Sequence, residues 1–174
     1  MTVSKTVVTI AACATLALGF LIAQESGILQ PQMKPGSDAG TYDKPMGAMG
    51  AKGEAWTATT VEAGVNKTPL PGKNVTVAGE IIDLSCYLQL GKHGAAHVDC
   101  GKKCITAGQP IGLLAQDGSV YMLMPEEHHP RRDGQANGFR QAAADHMGHV
   151  MEVTGTETTV SGHHAIYVQG YVNK

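Results

Sequence analysis

The order of the strand-like segments is the feature that most constrains how this chain can fold. Residues 74–83 alternate between apolar and polar side chains and are rich in β-branched residues, which predicts a strand. Residues 111–115 and 119–124 are also strand-like, and Asp117 and Gly118 lie between them. An Asp-Gly pair favours a tight hairpin because glycine supplies the positive φ that the turn requires. We therefore expect a long first strand and a hairpin after it.

Two helices and a second hairpin complete the pattern. A helix is predicted over about residues 95–107, and a shorter one over residues 139–147, where apolar side chains recur at helical spacing. Residues 149–154 and 165–172 are strand-like and predict the second hairpin. This order predicts a mainly β fold with short helices: a five-stranded OB-like Greek-key barrel with a helical insertion after strand one and a helix between strands three and four.

The region from residue 75 to residue 172 resembles exported bacterial OB-fold-like domains. The motifs that carry the resemblance are Val77-Ala78-Gly79-Glu80-Ile81-Ile82-Asp83, Cys86-Tyr87, Cys100-x3-Cys104 and Pro110-Ile111-Gly112-Leu113-Leu114. The resemblance implies the barrel fold and export, but no particular activity. The chain is also similar in fold class to the small periplasmic OB-fold chaperones for copper or haem, and this analogy implies metal handling.

Three regions are expected along the chain. Residues 1–23 contain an early lysine and an apolar run from Val7 to Ala23, which predicts a signal peptide or an uncleaved membrane anchor. Residues 24–56 are rich in glycine, proline and methionine and predict a flexible linker. Residues 57–174 would form the barrel domain. We expect a periplasmic or extracellular protein, either soluble or tethered through residues 7–23.

Composition and motifs argue against several classes of function. The net charge is -2 and the 13 basic residues are scattered, so no surface suited to nucleic acid is predicted. The sequence contains no GxSxG, HExxH or phosphate-binding glycine loop, and we assign no catalytic residue. The expected partners are a metal ion and, alternatively, a protein of the cell envelope.

The strongest candidate site is a group of cysteines and histidines after the first strand. His93, His97, Cys100 and Cys104 follow one another at helical spacing, and Cys86 precedes them. On a continuous helix the four side chains would point within about 60° of one direction, but His93 would lie roughly 16 Å from Cys104. One ion can therefore use only part of the set. The workable subsets are His93 with His97, or Cys100 with Cys104, each completed by a donor such as Cys86.

Chemistry leaves three interpretations of this group open. Cu(I) accepts two or three soft ligands whereas zinc prefers four, so copper is favoured slightly over zinc. Lys102 and Lys103 are expected to favour the thiolate forms. In an oxidising compartment, two of the three cysteines downstream of residue 23 could instead form a structural disulfide in a binding module. A thiol-disulfide oxidoreductase is the third interpretation.

The last hairpin supplies a second group of candidate ligands. One histidine precedes its first strand and another begins it, and two more lie directly before its second strand. Imidazole is a common ligand for zinc and copper, so these side chains could form a second metal site if the hairpin brings them together. The candidates are His146, His149, His163 and His164.

Overall fold

The elements of the fold follow the predicted order closely. The structure is a computed structural model of the chain and describes residues 39–51, 53–125 and 135–168. Its strands are β1 (Gly47–Met49), β2 (Lys73–Asp83), β3 (Ile111–Ala115), β4 (Val120–Met124), β5 (Val150–Val160) and β6 (His163–Val168). Its helices are α1 (Ala58–Ala63), α2 (Leu84–Leu90), α3 (Val98–Thr106) and α4 (Gln135–Asp145), with short 3-10 turns at Val65–Lys67 and Ala95–His97.

Five of the strands close into a barrel. The sheet runs in the order β1-β5-β2-β3-β4-β6, and β6 pairs again with β5 to complete the circle. Neighbouring barrel strands are antiparallel except β4 and β6, which are parallel. This strand order is that of a five-stranded Greek-key barrel. The predicted fold class is therefore confirmed, including the helical insertion after the first barrel strand and the helix between the third and fourth.

Alternating side chains on the strands and one face of α4 build the core. Ile81, Leu113 and Ile166 point inward from three strands and are fully buried. Phe139 and Met147, from α4 and the turn after it, join the same cluster. Because aromatic residues are few, aliphatic and methionine side chains fill most of this interior.

A smaller apolar cluster lies on the outer face of β2. Ile82 and Leu84 pack there with Leu114, while Tyr87 and Val120 lie against them. Helix α2 and the loop after it cover this face, so the side chain of Glu80 on the same face of β2 is removed from water. This arrangement sets the environment of the candidate site.

The structure differs from the predicted elements at β1, β5 and α4, and it contains two helices, α1 and α2, that the sequence did not predict. β5 extends to Val160, although residues 155–162 were expected to connect two strands, because its threonine-rich second half pairs with β6. The helix predicted at residues 139–147 begins earlier, at Gln135. Part of the predicted linker is a strand, since Gly47–Met49 pairs in parallel with the first half of β5, where β6 does not reach. Unpaired strand edges favour such additions.

The predicted signal peptide or anchor in residues 1–23, the start of the linker and the last residues of the chain lie outside the described residues. The proposed domain boundaries and the export of the chain therefore stay predictions. Within the described part of the chain, no helix has the length and apolar character needed to cross a membrane.

Candidate metal centre

The end of β2 and the two helices of the insertion position the site. Asp83 ends β2 and caps α2, where its Oδ1 accepts hydrogen bonds from the backbone N–H of Ser85 at 3.0 Å and Cys86 at 3.3 Å. Cys86 therefore lies in the first turn of α2. Cys100 and Cys104 are one turn apart on α3 and share a face of that helix.

The fold brings these side chains together in two overlapping groups. The potential ligand atoms of Cys86, His97 and Cys100 all lie within 4.8 Å of one another. Those of Asp83, Cys86 and Cys104 meet the same limit. Cys86 belongs to both groups, so the five side chains surround one small region. Each group could hold a metal ion.

His97 presents an unsatisfied nitrogen to this region. Its side chain is only 3% exposed, and within the described parts of the chain its buried Nε2 atom has no hydrogen-bond partner. The Oδ2 atom of Asp83 lies 3.9 Å away, beyond hydrogen-bond distance. Buried polar atoms are nearly always paired, so an unpaired imidazole nitrogen beside two thiols favours an additional ligand at this position.

Two of the thiols at the site, those of Cys86 and Cys104, carry raised pKa values. Hydrogen bonding to Asp83, burial and the negative charge of Asp83 raise the pKa of Cys86 from 9.0 to about 12. Burial raises the pKa of Cys104, and Asp83 and Cys100 add to this effect. Lys102 and Lys103 were expected to favour the thiolate forms of the Cys100 and Cys104 pair, and for Cys104 this expectation is wrong. A thiolate formed here would add negative charge beside Asp83, and a bound cation would offset that charge.

All three cysteines in the described region are free thiols. Cys86 and Cys104 are half-buried, whereas Cys100 is exposed to solvent. The sulfur atom of Cys86 lies within 4.8 Å of the sulfur atoms of Cys100 and of Cys104. Oxidation to a disulfide and binding of a metal ion by the reduced thiols are therefore both open to experimental test. The exposed position of Cys100 gives the group a side that is open to solvent.

His93 lies apart from both groups of ligands. Its Nδ1 atom is 2.8 Å from Glu80 Oε2, and the N–H of Gly94 donates to Glu80 Oε1 at 2.5 Å. Both side chains are buried, and the ring of Tyr87 lies edge-on to that of His93. The backbone is not helical between the end of α2 and the turn at Ala95–His97. The candidate ligands therefore do not lie along one continuous helix, as the sequence had led us to expect. His93 binds Glu80 instead of joining His97.

The histidines of the last hairpin form two separate sites. The Nδ1 atoms of His146 and His149 are 3.5 Å apart, just before β5. At the other end of β5, His163 pairs with Val160 and His164 Nδ1 contacts Glu157 Oε1 at 3.0 Å. An eleven-residue strand separates the two pairs. Burial, together with the nearby charges of His146 and Lys102, lowers the pKa of His149.

Sequence reasoning missed two acidic residues of the site. Asp83 occupies the position where a strand changes to a helix, and an aspartate at such a position is a recognisable N-cap signal. Glu80 is a charged residue between apolar neighbours in a strand, which indicates a buried polar contact. Neither signal shows which side chains contact Asp83 or Glu80 in the folded protein.

Comparison with known proteins adds no relative to this description. Protein-family models, curated protein sequences and solved structures were each compared with the chain, and none matches. The fold and the site therefore define the class by themselves. This is a small OB-like barrel whose helical insertion carries a Cys/His group that could hold a metal ion.

Proposed function

We propose that this chain is an exported protein that binds a transition-metal ion through Cys86, His97 and Cys100, with copper(I) as the ion. The observation that carries the proposal is the convergence of two sulfur atoms and one imidazole within 4.8 Å. The unpaired and buried Nε2 of His97 supports it. Soft sulfur ligands select Cu(I), and three donors satisfy its coordination.

Zinc is the second candidate because further donors lie next to this triad. Cys104 and Asp83 belong to the overlapping group around Cys86 and could complete the tetrahedral arrangement that zinc requires. Binding either ion would remove thiol protons, since Cys86 and Cys104 hold theirs tightly in the absence of a cation. The copper triad would mask two thiols, whereas zinc with Cys104 as its fourth ligand would mask three, so a count of three indicates zinc.

Export places this site in an oxidising compartment. The apolar run at residues 7–23 supports secretion or tethering to a membrane, and a protein of the cell envelope is the expected partner. Cys100 is exposed, which would allow a partner's ligands to reach the ion. If the site instead holds a disulfide, the protein is a stabilised binding module or a thiol-disulfide oxidoreductase.

A metal-binding and thiol-counting experiment tests the proposal. The full chain, reduced and kept free of oxygen, is titrated with Cu(I) or Zn(II) against a chromophoric chelator, and its free thiols are counted before and after. We expect one tightly bound ion. Losing a ligand in Cys86→Ser or His97→Ala should weaken binding by more than roughly 100-fold, because even loss of a supporting contact costs about 10- to 100-fold.

His163→Ala is the matched control, since this exposed histidine lies at the far end of β5. It should leave the affinity of the tight site unchanged. Two results would contradict the proposal. One is that all thiols stay reactive with either ion present. The other is that the purified protein holds two of its cysteines in a bridge that resists mild reductants, which would indicate a structural disulfide.

A further inference from the structure

We propose a second, independent metal site at the turn before β5, where His146 and His149 chelate one divalent ion of the Cu²⁺, Ni²⁺ and Zn²⁺ class through their Nδ1 atoms. This inference goes beyond the thiol site and does not rest on it. The ligands are two imidazoles, which suit these borderline divalent ions.

The distance between the two nitrogen atoms fits a shared ion. Nδ1 of His146 and Nδ1 of His149 are 3.5 Å apart, and the rings are inclined at 60° with their centroids 5.7 Å apart. An ion at about 2.05 Å from each nitrogen, the usual zinc–imidazole distance, would subtend an angle of about 117°. This value is close to tetrahedral. A direct hydrogen bond between the rings would be at the long limit for such a bond.

The turn that carries the pair is held firmly to the barrel. The N–H of His149 donates to the carbonyl of His146 at 2.9 Å, and the N–H of Gly148 donates to the carbonyl of Ile81 at 2.8 Å. The N–H of Ile81 in turn donates to the carbonyl of His149. Met147, which follows His146 in the sequence, is only 2% exposed. The two imidazoles are therefore preorganised, which lowers the entropic cost of chelation.

The pair faces a different side of α3 from the thiol site. Gly148 lies against Val98, and Met147 lies against Gly101. At 100° per residue, this face of α3 is rotated by roughly 110° from the mean direction of Cys100 and Cys104. Both histidines are half-buried, so solvent or a second molecule can supply the remaining ligands. The helix separates the two sites.

A zinc titration that is followed by two methods, calorimetry and NMR, tests this site. The full chain is titrated with Zn²⁺ by calorimetry, and the ring nitrogens are observed by proton–nitrogen NMR. We expect a second, weaker equivalent of zinc that shifts the Nδ1 resonances of His146 and His149. His146→Gln and His149→Gln should each weaken this equivalent at least tenfold. His163→Gln, at the other end of β5, should leave it unchanged.

The variant Cys86→Ser separates this proposal from the first one. It should abolish the tight equivalent and leave the weaker one in place. The second site is overturned if wild-type protein shows no zinc-dependent shift at these two Nδ1 atoms, or if His146→Gln and His149→Gln both bind the weaker equivalent as wild type does. The NMR observation needs no substitution, so a variant that fails to fold does not remove the test.

Discussion

Asp83 combines two roles that depend on its two oxygen atoms. Oδ1 accepts the backbone hydrogen bonds that begin α2, while Oδ2 lies 3.9 Å from the unpaired nitrogen of His97. The same carboxylate raises the pKa values of Cys86 and Cys104. A helix cap is thus also the nearest negative charge to the candidate metal ligands, and its charge controls how readily they lose their protons.

Replacing this carboxylate by an amide should therefore lower the thiol pKa values. In Asp83→Asn the cap is kept, because asparagine is an equally good N-cap residue, but the negative charge is lost. We expect the pKa of Cys86 to fall from about 12 toward 9.0. The pH dependence of alkylation at Cys86, followed by peptide mass spectrometry, measures this shift.

Asp99→Asn is the control for the Asp83 substitution. Asp99 is an exposed acidic residue in the first turn of α3, and its loss removes the same charge from the same insertion. It should leave the alkylation profile of Cys86 as it is in the wild type. An unchanged profile in Asp83→Asn would show that the carboxylate does not hold the thiol proton.

At the scale of elements, a buried side chain on β2 holds the insertion between β2 and β3 against the barrel. Glu80 projects from the outer face of β2 and is fully buried. It accepts hydrogen bonds from the His93 ring and from the Gly94 backbone, both in the segment that joins α2 to α3. This contact positions the segment that leads into His97. Glu80 is therefore a positioning residue for the site and contacts none of the proposed ligands.

Removing this fastening should destabilise the protein markedly. Glu80→Ala leaves His93 and the Gly94 N–H buried without a partner, and breaking such a buried pair costs about 3 kcal/mol or more. We expect the free energy of unfolding, measured by chemical denaturation, to fall by this amount. Glu80→Gln should cost less, because its amide can still accept from Gly94 and donate to the His93 ring.

Glu152→Ala provides a matched comparison on β5. Glu152 is exposed, and its neighbour across the sheet is Ala78 on β2. Substitutions at such surface positions usually change stability by no more than about 0.5 kcal/mol. If Glu80→Ala proves as stable as Glu152→Ala, the carboxylate does not hold the insertion in place.

At the scale of the whole molecule, closure of the barrel places the site on its outside. The interior of the barrel is filled by aliphatic and methionine side chains and by Phe139. The candidate ligands come instead from the end of β2 and from the helices that cover it. The stability of the fold is coupled to the protonation of the half-buried thiols of Cys86 and Cys104, whose pKa values are raised in the folded chain.

This coupling predicts that the metal-free protein loses stability at alkaline pH. The pKa of Cys86 is about 12 in the folded chain and 9.0 ordinarily, so the folded state keeps a proton that the unfolded state releases. The contribution of Cys86 to the free energy of unfolding should therefore be constant below about pH 9 and decrease as the pH rises toward 12. Urea denaturation of reduced protein at about pH 7.5 and about pH 10 measures the change.

Cys86→Ser isolates this contribution. Burial, with the charges of Glu80 and Tyr87, raises the pKa of Tyr42 to about 12, so Tyr42 also lowers stability at high pH. The serine variant keeps the tyrosine effect and lacks the Cys86 effect, and its stability should decline less over the same interval. An equal decline in both proteins would exclude Cys86 as the source.

The sequence by itself determined most of the strands of the barrel, the Asp117-Gly118 turn and the shared direction of Cys100 and Cys104 on one face of α3. These features depend on residues two to four positions apart, whose relative directions follow from strand and helix periodicity. Tertiary structure decided that Asp83 joins the cysteines, that His93 binds Glu80, and that the four late histidines separate. Such contacts depend on the path of the intervening chain, as at Gly91 and Gly94, where positive φ values of 65° and 72° redirect the backbone between α2 and His97.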